Sequence, residues 1–263
     1  MSMNVRRITW VAGLILWGVL GGGPIMAAEQ TGHIRMAVDS PLRSAENKAR
    51  DERRKPAEIL KFFGVEPGMK IVEIAAGGGY YTEILSLAVG EGGRVIAHTP
   101  PFLVTYRPEV YGPGGIMAQK YSSPPWNKNV VYWVADLSAP DFPMDQDMVT
   151  NVLFYHDTVW QKTDRAAMNR AIYDCLKPGG IYAIIDHSAQ AGSGGRDVKS
   201  LHRIDKALVI HEVTAAGFEL VAESDLLAHP EDSRDYNVFR DVETRRDATD
   251  RFVLKFRKPV PPM

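Results

Sequence analysis

Three pairs of polar residues in the second half of the chain have side chains that can move protons or hold a charged group. These are the pairs His156-Asp157, Asp186-His187 and His202-Arg203. Histidine titrates close to neutral pH, so it can take the proton of an oxygen or nitrogen nucleophile. Arginine can orient a carboxylate or phosphate on a bound molecule. We therefore treat all six residues as candidate catalytic residues.

The same pairs allow two other interpretations. Any of them could instead cap a helix or form a hydrogen bond at a sheet edge, although three pairs near predicted strand ends favour a shared site. Five of the residues could also be metal ligands, namely His156, Asp157, Asp186, His187 and His202. No tight spacing such as His-x-x-x-His supports a metal site, so none is predicted.

A glycine-rich turn is the second feature that could do chemistry. Residues 72–82 read V-E-I-A-A-G-G-G-Y-Y-T, a strand that runs into Gly77, Gly78 and Gly79 and then a helix. Residues with little or no side chain let the backbone approach a ligand. Ligands of open parallel sheets bind beyond the C-terminal ends of the strands. A tight turn without a ligand is the alternative.

Alternating strands and helices must position these groups. The predicted strands are 70–75, 94–98, 130–135, 147–153, 181–185, 219–223 and 251–256. The predicted helices are 40–63 with a break at Pro56, 80–89, 164–176 and 198–216. This order implies a parallel sheet with right-handed crossovers, preceded by a polar lead-in at 30–39. We interpret the connection between the last two strands as short and polar, and expect them to pair antiparallel at one edge.

The segment 99–129 interrupts this alternation. It contains six prolines and three glycines, and at most a short helix is predicted at 116–120. A loop of this length inside a domain is either a functional lid or a surface insertion, and the sequence leaves both open. The charged stretches 50–55 and 241–250 are interpreted as solvated surfaces, although Arg53 and Arg54 could instead cover a ligand pocket.

The glycine turn resembles motif I of the class I S-adenosylmethionine-dependent methyltransferases, in which an acidic residue precedes alternating glycines. Glu73 occupies the acidic position, Ala75 the first glycine position, and Gly77 and Gly79 the next two. Further along, Asp136-Leu137 and the segment 176–180 (L-K-P-G-G) match the family in the expected order.

The resemblance implies a Rossmann-like α/β fold with a mostly parallel seven-stranded sheet and an antiparallel edge strand. It also implies S-adenosylmethionine as the cofactor and, with the polar pairs, methyl transfer to a small-molecule acceptor. The implied cofactor-binding residues are Glu73, Ala75, Gly77, Gly78, Gly79, Thr99, Asp136 and Leu137.

One position departs from the family pattern. The second strand of the family usually ends in Asp or Glu, which accepts both ribose hydroxyls, but here His98 or Thr99 occupies that place. Loss of a charge-assisted acceptor weakens binding by about 1.5–3 kcal/mol. Thr99 could accept one of the two hydrogen bonds.

The first 28 residues have the features of an export signal. Arg6 and Arg7 precede an apolar stretch at 10–20, and small residues at Ala27 and Ala28 fit a cleavage site. We therefore expect a signal peptide at 1–28, a single domain at 29–263, and an exported, periplasmic or secreted protein without stable membrane insertion. A retained membrane anchor is the alternative. The segments 51–56, 155–157, 186–187 and 201–203 are also similar to a group of predicted exported methyltransferases.

Composition excludes some classes of function. The 263 residues are 45% apolar and 24% charged, with 31 basic and 32 acidic side chains, as in ordinary globular proteins. Loss of Arg6 and Arg7 would change the net charge from −1 to −3, whereas a sequence-independent nucleic-acid binder needs a basic excess. The single cysteine, Cys175, excludes an internal disulfide and is expected in the core.

A second class of function stays open at this point. S-adenosylmethionine is a charged cytoplasmic metabolite, so an exported enzyme would need a supply of it. The alternative is a binding or scaffold protein that keeps the fold without methyl transfer, because function resides in the site rather than in the fold.

Overall fold

The computed structural model describes residues 24–240 and 247–261, and the side chains from residue 32 onward within the first helix. Most of the predicted signal segment therefore lies outside the described residues. Seven strands form one sheet in the order β3-β2-β1-β4-β5-β7-β6. They are β1 (Lys70–Ile74), β2 (Arg94–Thr99), β3 (Val130–Val134), β4 (Gln146–Val152), β5 (Leu176–His187), β6 (Glu219–Ser224) and β7 (Arg251–Arg257). The Rossmann-like fold prediction is confirmed.

Eleven α-helices and one 3-10 turn, Trp126–Lys128, surround the sheet in the described part of the chain. Before the second strand they are α1 (Pro24–Asp39), α2 (Ala45–Lys48), α3 (Asp51–Arg54), α4 (Pro56–Phe63) and α5 (Tyr80–Val89). After it they are α6 (Pro101–Tyr106), α7 (Pro108–Tyr111), α8 (Ile116–Tyr121), α9 (Tyr155–Trp160), α10 (Arg165–Cys175) and α11 (Lys206–Ala215).

The central strands are buried on both faces, as parallel strands covered by helices must be. Successive residues of β1 alternate between the faces: Ile71 packs in one apolar cluster, while Val72 and Ile74 pack in the other. The first cluster includes residues of α1, α4, α5 and α8, and the second includes residues of α10 and α11. Cys175 is buried in the second cluster, as predicted.

The N-terminal region is more helical than expected. Lys55 adopts a left-handed conformation with φ 45°, so the helical stretch breaks immediately before Pro56, as predicted. The polar lead-in prediction for 30–39 is wrong, because α1 runs through it. Ile34, Ala37 and Val38 lie on one face of α1 and are buried in the first cluster.

Three other expectations are corrected. The segment 99–129 contains three short helices and not one. The helix predicted at 198–216 begins only at Lys206, because the side chain of Asp205 caps it by accepting from the Ala207 amide. The last two strands do pair antiparallel, but β7 lies between β5 and the edge strand β6, and their connection runs through residues 225–250.

Candidate functional site

A cavity of about 380 Å³ lies over the glycine turn, at the C-terminal ends of β1 and β4. This volume falls in the range of small-molecule sites. The wall combines the turn with residues of α2, α3, α5, α8 and the segment after β4. The lining residues that recur below are Asn47, Arg50, Arg54, Glu73, Gly78, Tyr80, Glu83 and Lys120.

The turn after β1 exposes its backbone to this cavity. Ala75, Gly77 and Gly79 have positive φ angles of 49°, 55° and 82°. Gly78 lacks this constraint, and a Cβ added there would meet no described atom within 4 Å. A Cβ on Gly79 would lie 2.1 Å from the Tyr121 hydroxyl. Gly79 is therefore needed for packing against α8, whereas Gly78 leaves space in the cavity.

Glu73, the residue before the last of β1, is buried beneath the turn. Its carboxyl group accepts a hydrogen bond from the Thr82 hydroxyl at 2.5 Å. Burial raises the pKa of Glu73 to about 8, against the lowering effects of Thr82 and Arg54. A cation bound in the cavity would favour the ionised form of this carboxyl.

Helices α2 and α3 cover the turn and bring two arginines to the cavity. Arg50 and Arg54 both bind Asp247 at 2.7 Å, and Arg54 lies 4.5 Å from the centre of the Tyr80 ring. The Tyr80 hydroxyl donates to Asp51 at 2.6 Å. The interpretation of both charged stretches as solvated surfaces is thus wrong at Arg54 and Asp247. The suggested role in covering the pocket fits Arg54, while the side chain of Arg53 is exposed.

Glu83 and Lys120 form a second pair of charged side chains in the cavity wall. Glu83 on α5 is buried and accepts hydrogen bonds from Lys120 at 2.6 Å and from Asn47 at 3.1 Å. Lys120 belongs to α8, so the segment 99–129 supplies part of the cavity wall. The cavity is therefore lined by three carboxyl groups, from Glu46, Glu73 and Glu83, and three basic side chains around one glycine turn.

The end of β2 differs most from the expectation. His98 is buried, and its Nδ1 accepts from the Ala75 amide at 3.2 Å while its Nε2 donates to the Ala135 carbonyl at 2.9 Å. Burial lowers the pKa of His98 to about 4, so the ring is neutral. Both ring nitrogens are used to join the turn to the end of β3, and neither is free for a ribose.

Part of the predicted cofactor set lies elsewhere. Thr99 is buried, Leu137 is packed in the second apolar cluster, and Asp136 is exposed and accepts from the Ser138 amide. None of these three lines the cavity. The assignment of Thr99, Asp136 and Leu137 to the cofactor site therefore stays a prediction that this cavity does not support. The structure places Glu73, Ala75, Gly77 and Gly78 in the wall and Gly79 just behind it.

The ends of β4 and β5 bring two of the polar pairs together. His156 Nδ1 lies 2.7 Å from Asp186, whose carboxylate also accepts from the His156 and His187 amides. His156 Nε2 lies 3.1 Å from Asp157 Oδ1, and His202 Nδ1 lies 3.2 Å from the same oxygen. His202 reaches the cluster from the loop before α11, with φ 52°, and not from a helix as predicted.

The pKa of each group in this cluster follows from its burial and from the charged groups beside it. Burial alone would lower the pKa of His156, but the carboxylates of Asp186 and Asp157 raise it to about 10. Burial would raise the pKa of Asp157, yet His156 and His202 hold it below its ordinary value. Burial keeps the pKa of His187 well below its ordinary value, and its Nδ1 pairs with the Thr249 hydroxyl.

Arg203 does not join this cluster. It is fully buried, binds Asp232 at 2.9 Å, donates to the Ser188 carbonyl and stacks on Tyr236. These contacts hold the segment 225–240 against the sheet. The prediction that Arg203 orients the acceptor is corrected to a structural role.

Sequence reasoning missed several cavity residues. They come from separate parts of the chain: Asn47 from α2, Arg50 from the residue before α3, Glu83 from α5 and Lys120 from α8. Glu83 carried a signal, because an acidic residue on the buried face of a helix needs a partner. Lys120 carried none, since its position depends on how α8 folds back over the turn.

Three comparisons with known proteins find methyltransferases. A family model described as protein-L-isoaspartate(D-aspartate) O-methyltransferase (PCMT) matches residues 33–102, from α1 to the start of α6. The ubiquinone/menaquinone biosynthesis C-methyltransferase UbiE of Shewanella woodyi is 28% identical over 172 residues, or 64% of this chain. The chain spans 63% of that relative's length, less than two thirds.

Solved structures share the fold. An S-adenosylmethionine-dependent methyltransferase from Aquifex aeolicus has a TM-score of 0.54 at 20% identity, covering 80% of this chain and 92% of that one. The glycopeptide N-methyltransferase MtfA, complexed with sinefungin, has a TM-score of 0.52 at 15% identity, covering 85% and 90%. The [4+2]-cyclase SpnF has a TM-score of 0.55 at 17% identity, covering 80% and 82%. At these identities the likeness shows the fold, and together the comparisons support the resemblance to class I methyltransferases.

Proposed function

We propose that this protein is an S-adenosylmethionine-dependent methyltransferase. The observation that supports it is the cavity over the glycine turn, in which carboxyl and guanidinium groups face one another. The amino-acid end of S-adenosylmethionine needs both kinds of group, because its ammonium pairs with carboxyl groups and its carboxylate pairs with basic side chains. Glu73 and Glu83 fit the first need, and Arg50, Arg54 and Lys120 fit the second.

The acceptor side of the site is proposed at the ends of β4 and β5. Val152 and Leu153 line the cavity, and His156 and Asp157 follow them directly in α9. When bound, S-adenosylmethionine supplies a methyl group activated on a cationic sulfonium. The chain must hold a small acceptor in line with it and take up the acceptor's proton. His156 is unsuited to that last task at neutral pH, since two carboxylates raise its pKa and keep it protonated.

The test uses two glycines that tolerate a side chain. Gly78→Leu fills the cavity, whereas Gly92→Leu places the same side chain on an exposed turn before β2, where a Cβ also meets no described atom within 4 Å. We expect calorimetric titration to show S-adenosylmethionine binding to the unchanged protein and to Gly92→Leu. Affinity should fall about tenfold or more in Gly78→Leu, with unchanged thermal unfolding. Absence of binding to the unchanged protein would refute the proposal.

A binding protein without methyl transfer is the second candidate. It is favoured by His98, which occupies the place of the ribose acceptor and has both ring nitrogens engaged. The cyclase SpnF illustrates that this fold can serve other chemistry. Tight binding of an amino acid such as methionine, without binding of S-adenosylmethionine, would favour this candidate.

Export is proposed as part of the function. Cleavage after Ala27 or Ala28 would fall within α1 but before Ile34, the first residue of that helix buried in the core. Within the described ranges, no helix is long and apolar enough to cross a bilayer. Cell fractionation with mass measurement of the N-terminus tests the proposal. Recovery of an uncleaved chain in the membrane fraction would favour the anchor instead.

A further inference from the structure

We propose that His156, Asp157 and His202 form a binding site for one divalent first-row transition-metal ion of the zinc type. One ligand atom from each lies within 4.8 Å of the others. Two ligand atoms of a tetrahedral zinc ion are about 3.3 Å apart, given bonds of about 2.0–2.1 Å. The distances of 3.1 and 3.2 Å from Asp157 Oδ1 to the two imidazoles fit this spacing.

An unused nitrogen points to the same place. His156 is 2% exposed, and its Nε2 has no hydrogen-bond partner among the described residues although Asp157 is 3.1 Å away. A buried nitrogen without a partner is costly. A metal ion between His156, Asp157 and His202 would displace the proton from Nε2, accept the freed lone pair and remove that cost.

The other side of His156 is built as metal ligands usually are. Its Nδ1 faces the fully buried Asp186 at 2.7 Å, which fixes the tautomer with Nε2 free. Asp186 is itself held by the amides of His156 and His187. A carboxylate behind the imidazole is the typical outer partner of a metal-ligating histidine.

The remaining two ligands are also held in position. Trp160 Nε1 donates to Asp157 Oδ1 at 2.7 Å. The His202 ring packs edge-on against Phe239, with ring centres 4.8 Å apart. With neutral imidazoles, the carboxylates of Asp157 and Asp186 give the cluster a charge of −2, which matches a divalent cation.

The site leaves room for a further ligand. The side chains of Asp157 and His202 are 18% and 20% exposed, and three protein ligands are one fewer than a closed zinc site requires. The next step rests on the proposed function. An oxygen of the methyl acceptor would occupy the open position on the metal. Its O–H would lose the proton to water, its oxygen would form the bond to the methyl carbon, and the C–S bond electrons would return to sulfur.

The experiment uses the full chain after treatment with a chelator, titrated with Co²⁺ and then Zn²⁺. We expect one equivalent of Co²⁺ to bind, with visible absorption bands typical of four- or five-coordinate cobalt, and Zn²⁺ to displace it. Acetohydroxamate, an oxygen-donor probe, should shift these bands if a position is open.

Matched variants locate the ion. Asp157→Asn and His202→Asn should weaken Co²⁺ binding at least tenfold. Asp186→Asn should weaken it by about 10- to 100-fold, because the carboxylate behind His156 Nδ1 is lost. Asn tolerates the left-handed backbone of residue 202. His211→Ala, on the exposed face of α11, should leave binding unchanged.

Unaltered binding in Asp157→Asn and His202→Asn, with thermal unfolding intact, would overturn the site, as would failure of the unchanged protein to bind. S-adenosylmethionine titration of the same samples separates the two proposals. Binding of the cofactor without the metal overturns this inference alone. Binding of the metal without the cofactor supports the site and refutes the methyltransferase proposal.

Discussion

Ala75 and Glu73 show how single residues in the turn combine structural and chemical demands. Ala75 stands at the first glycine position of the turn and adopts φ 49°, a conformation that costs an L residue about 1–2 kcal/mol. Glu73 is buried and carries a raised pKa. Both features concentrate strain and unfavourable burial at the turn beneath the cavity, a combination that is common at functional sites.

Ala75→Gly should stabilise the protein by up to about 1 kcal/mol, because relief of strain exceeds the added freedom of the unfolded chain. Urea unfolding measures the change. The control is Ala76→Gly at the next position, whose φ is negative, where the same exchange should destabilise by about 0.5–1 kcal/mol. Equal effects at both positions would contradict the assignment of strain.

Glu73 predicts a pH dependence of stability. Its folded pKa of about 8 lies above the ordinary value of 4.5. Between these values the folded protein keeps a proton that the unfolded chain has lost. The contribution of the protonated Glu73 to the free energy of unfolding is therefore complete below pH 4.5. It is lost as the pH rises toward 8, by up to about 1.4 kcal/mol per pH unit.

Urea unfolding of the unchanged protein and of Glu73→Gln across that pH range measures this slope. The difference between the two should change with pH, because the glutamine does not titrate. Glu58→Gln, on the exposed side of α4, should run parallel to the unchanged protein. A constant difference for Glu73→Gln would show that the carboxyl is ionised throughout.

At the scale of elements, the short helices α2 and α3 depend on distant partners. Four-residue helices are not stable alone, since nucleation is costly. Here Arg50 and Arg54 attach α3 to Asp247, and Asn47 attaches α2 to Glu83 on α5. The cover over the cavity is therefore held by ion pairs that join the start of the chain to residues near β7.

Asp247→Asn should loosen this cover. The arginines hold the pKa of Asp247 at about 2 against the effect of burial, so the carboxylate is ionised at neutral pH. Its loss should cost about 1–3 kcal/mol in the free energy of unfolding, since both guanidiniums keep some contact with water. Cofactor affinity should also fall. Glu52→Gln on α3 removes the same charge without this ion pair, and a similar loss there would contradict the role of Asp247.

At the scale of the whole molecule, α1 connects the predicted leader to the core. Ile34, Ala37 and Val38 pack in the first apolar cluster, against the same face of the sheet as α4 and α5. Residues upstream of this stripe could be removed by cleavage without loss of these contacts. The packed part of the chain thus begins within α1, before the first strand.

Ile34→Ala should destabilise the protein by about 2–4 kcal/mol, because the side chain is fully buried in that cluster. Thermal or urea unfolding measures it. Met36→Ala, on the exposed face of the same helix, should change stability by less than about 0.5 kcal/mol. Equal losses would mean that α1 does not pack as described.

The sequence alone determined the order of the seven strands and the glycine turn that follows β1. It also predicts Glu73, Gly77 and Gly78 in a ligand site. These follow from local signals: apolar runs, helix caps and residues that permit positive φ. Local patterns also placed His156 and Asp186 at neighbouring strand ends.

Only the tertiary structure decided which polar groups meet. His98, Arg203 and Asp247 each have their role fixed by partners far away in the chain, namely Ala135, Asp232 and the pair Arg50 and Arg54. The cluster of His156, Asp157 and His202 likewise depends on the loop before α11, which carries His202 and which the sequence pattern predicts as helix. The physical reason is that a buried polar or charged group is stable only where other groups pair with it. Those partners can come from any part of the chain, so local sequence does not reveal them.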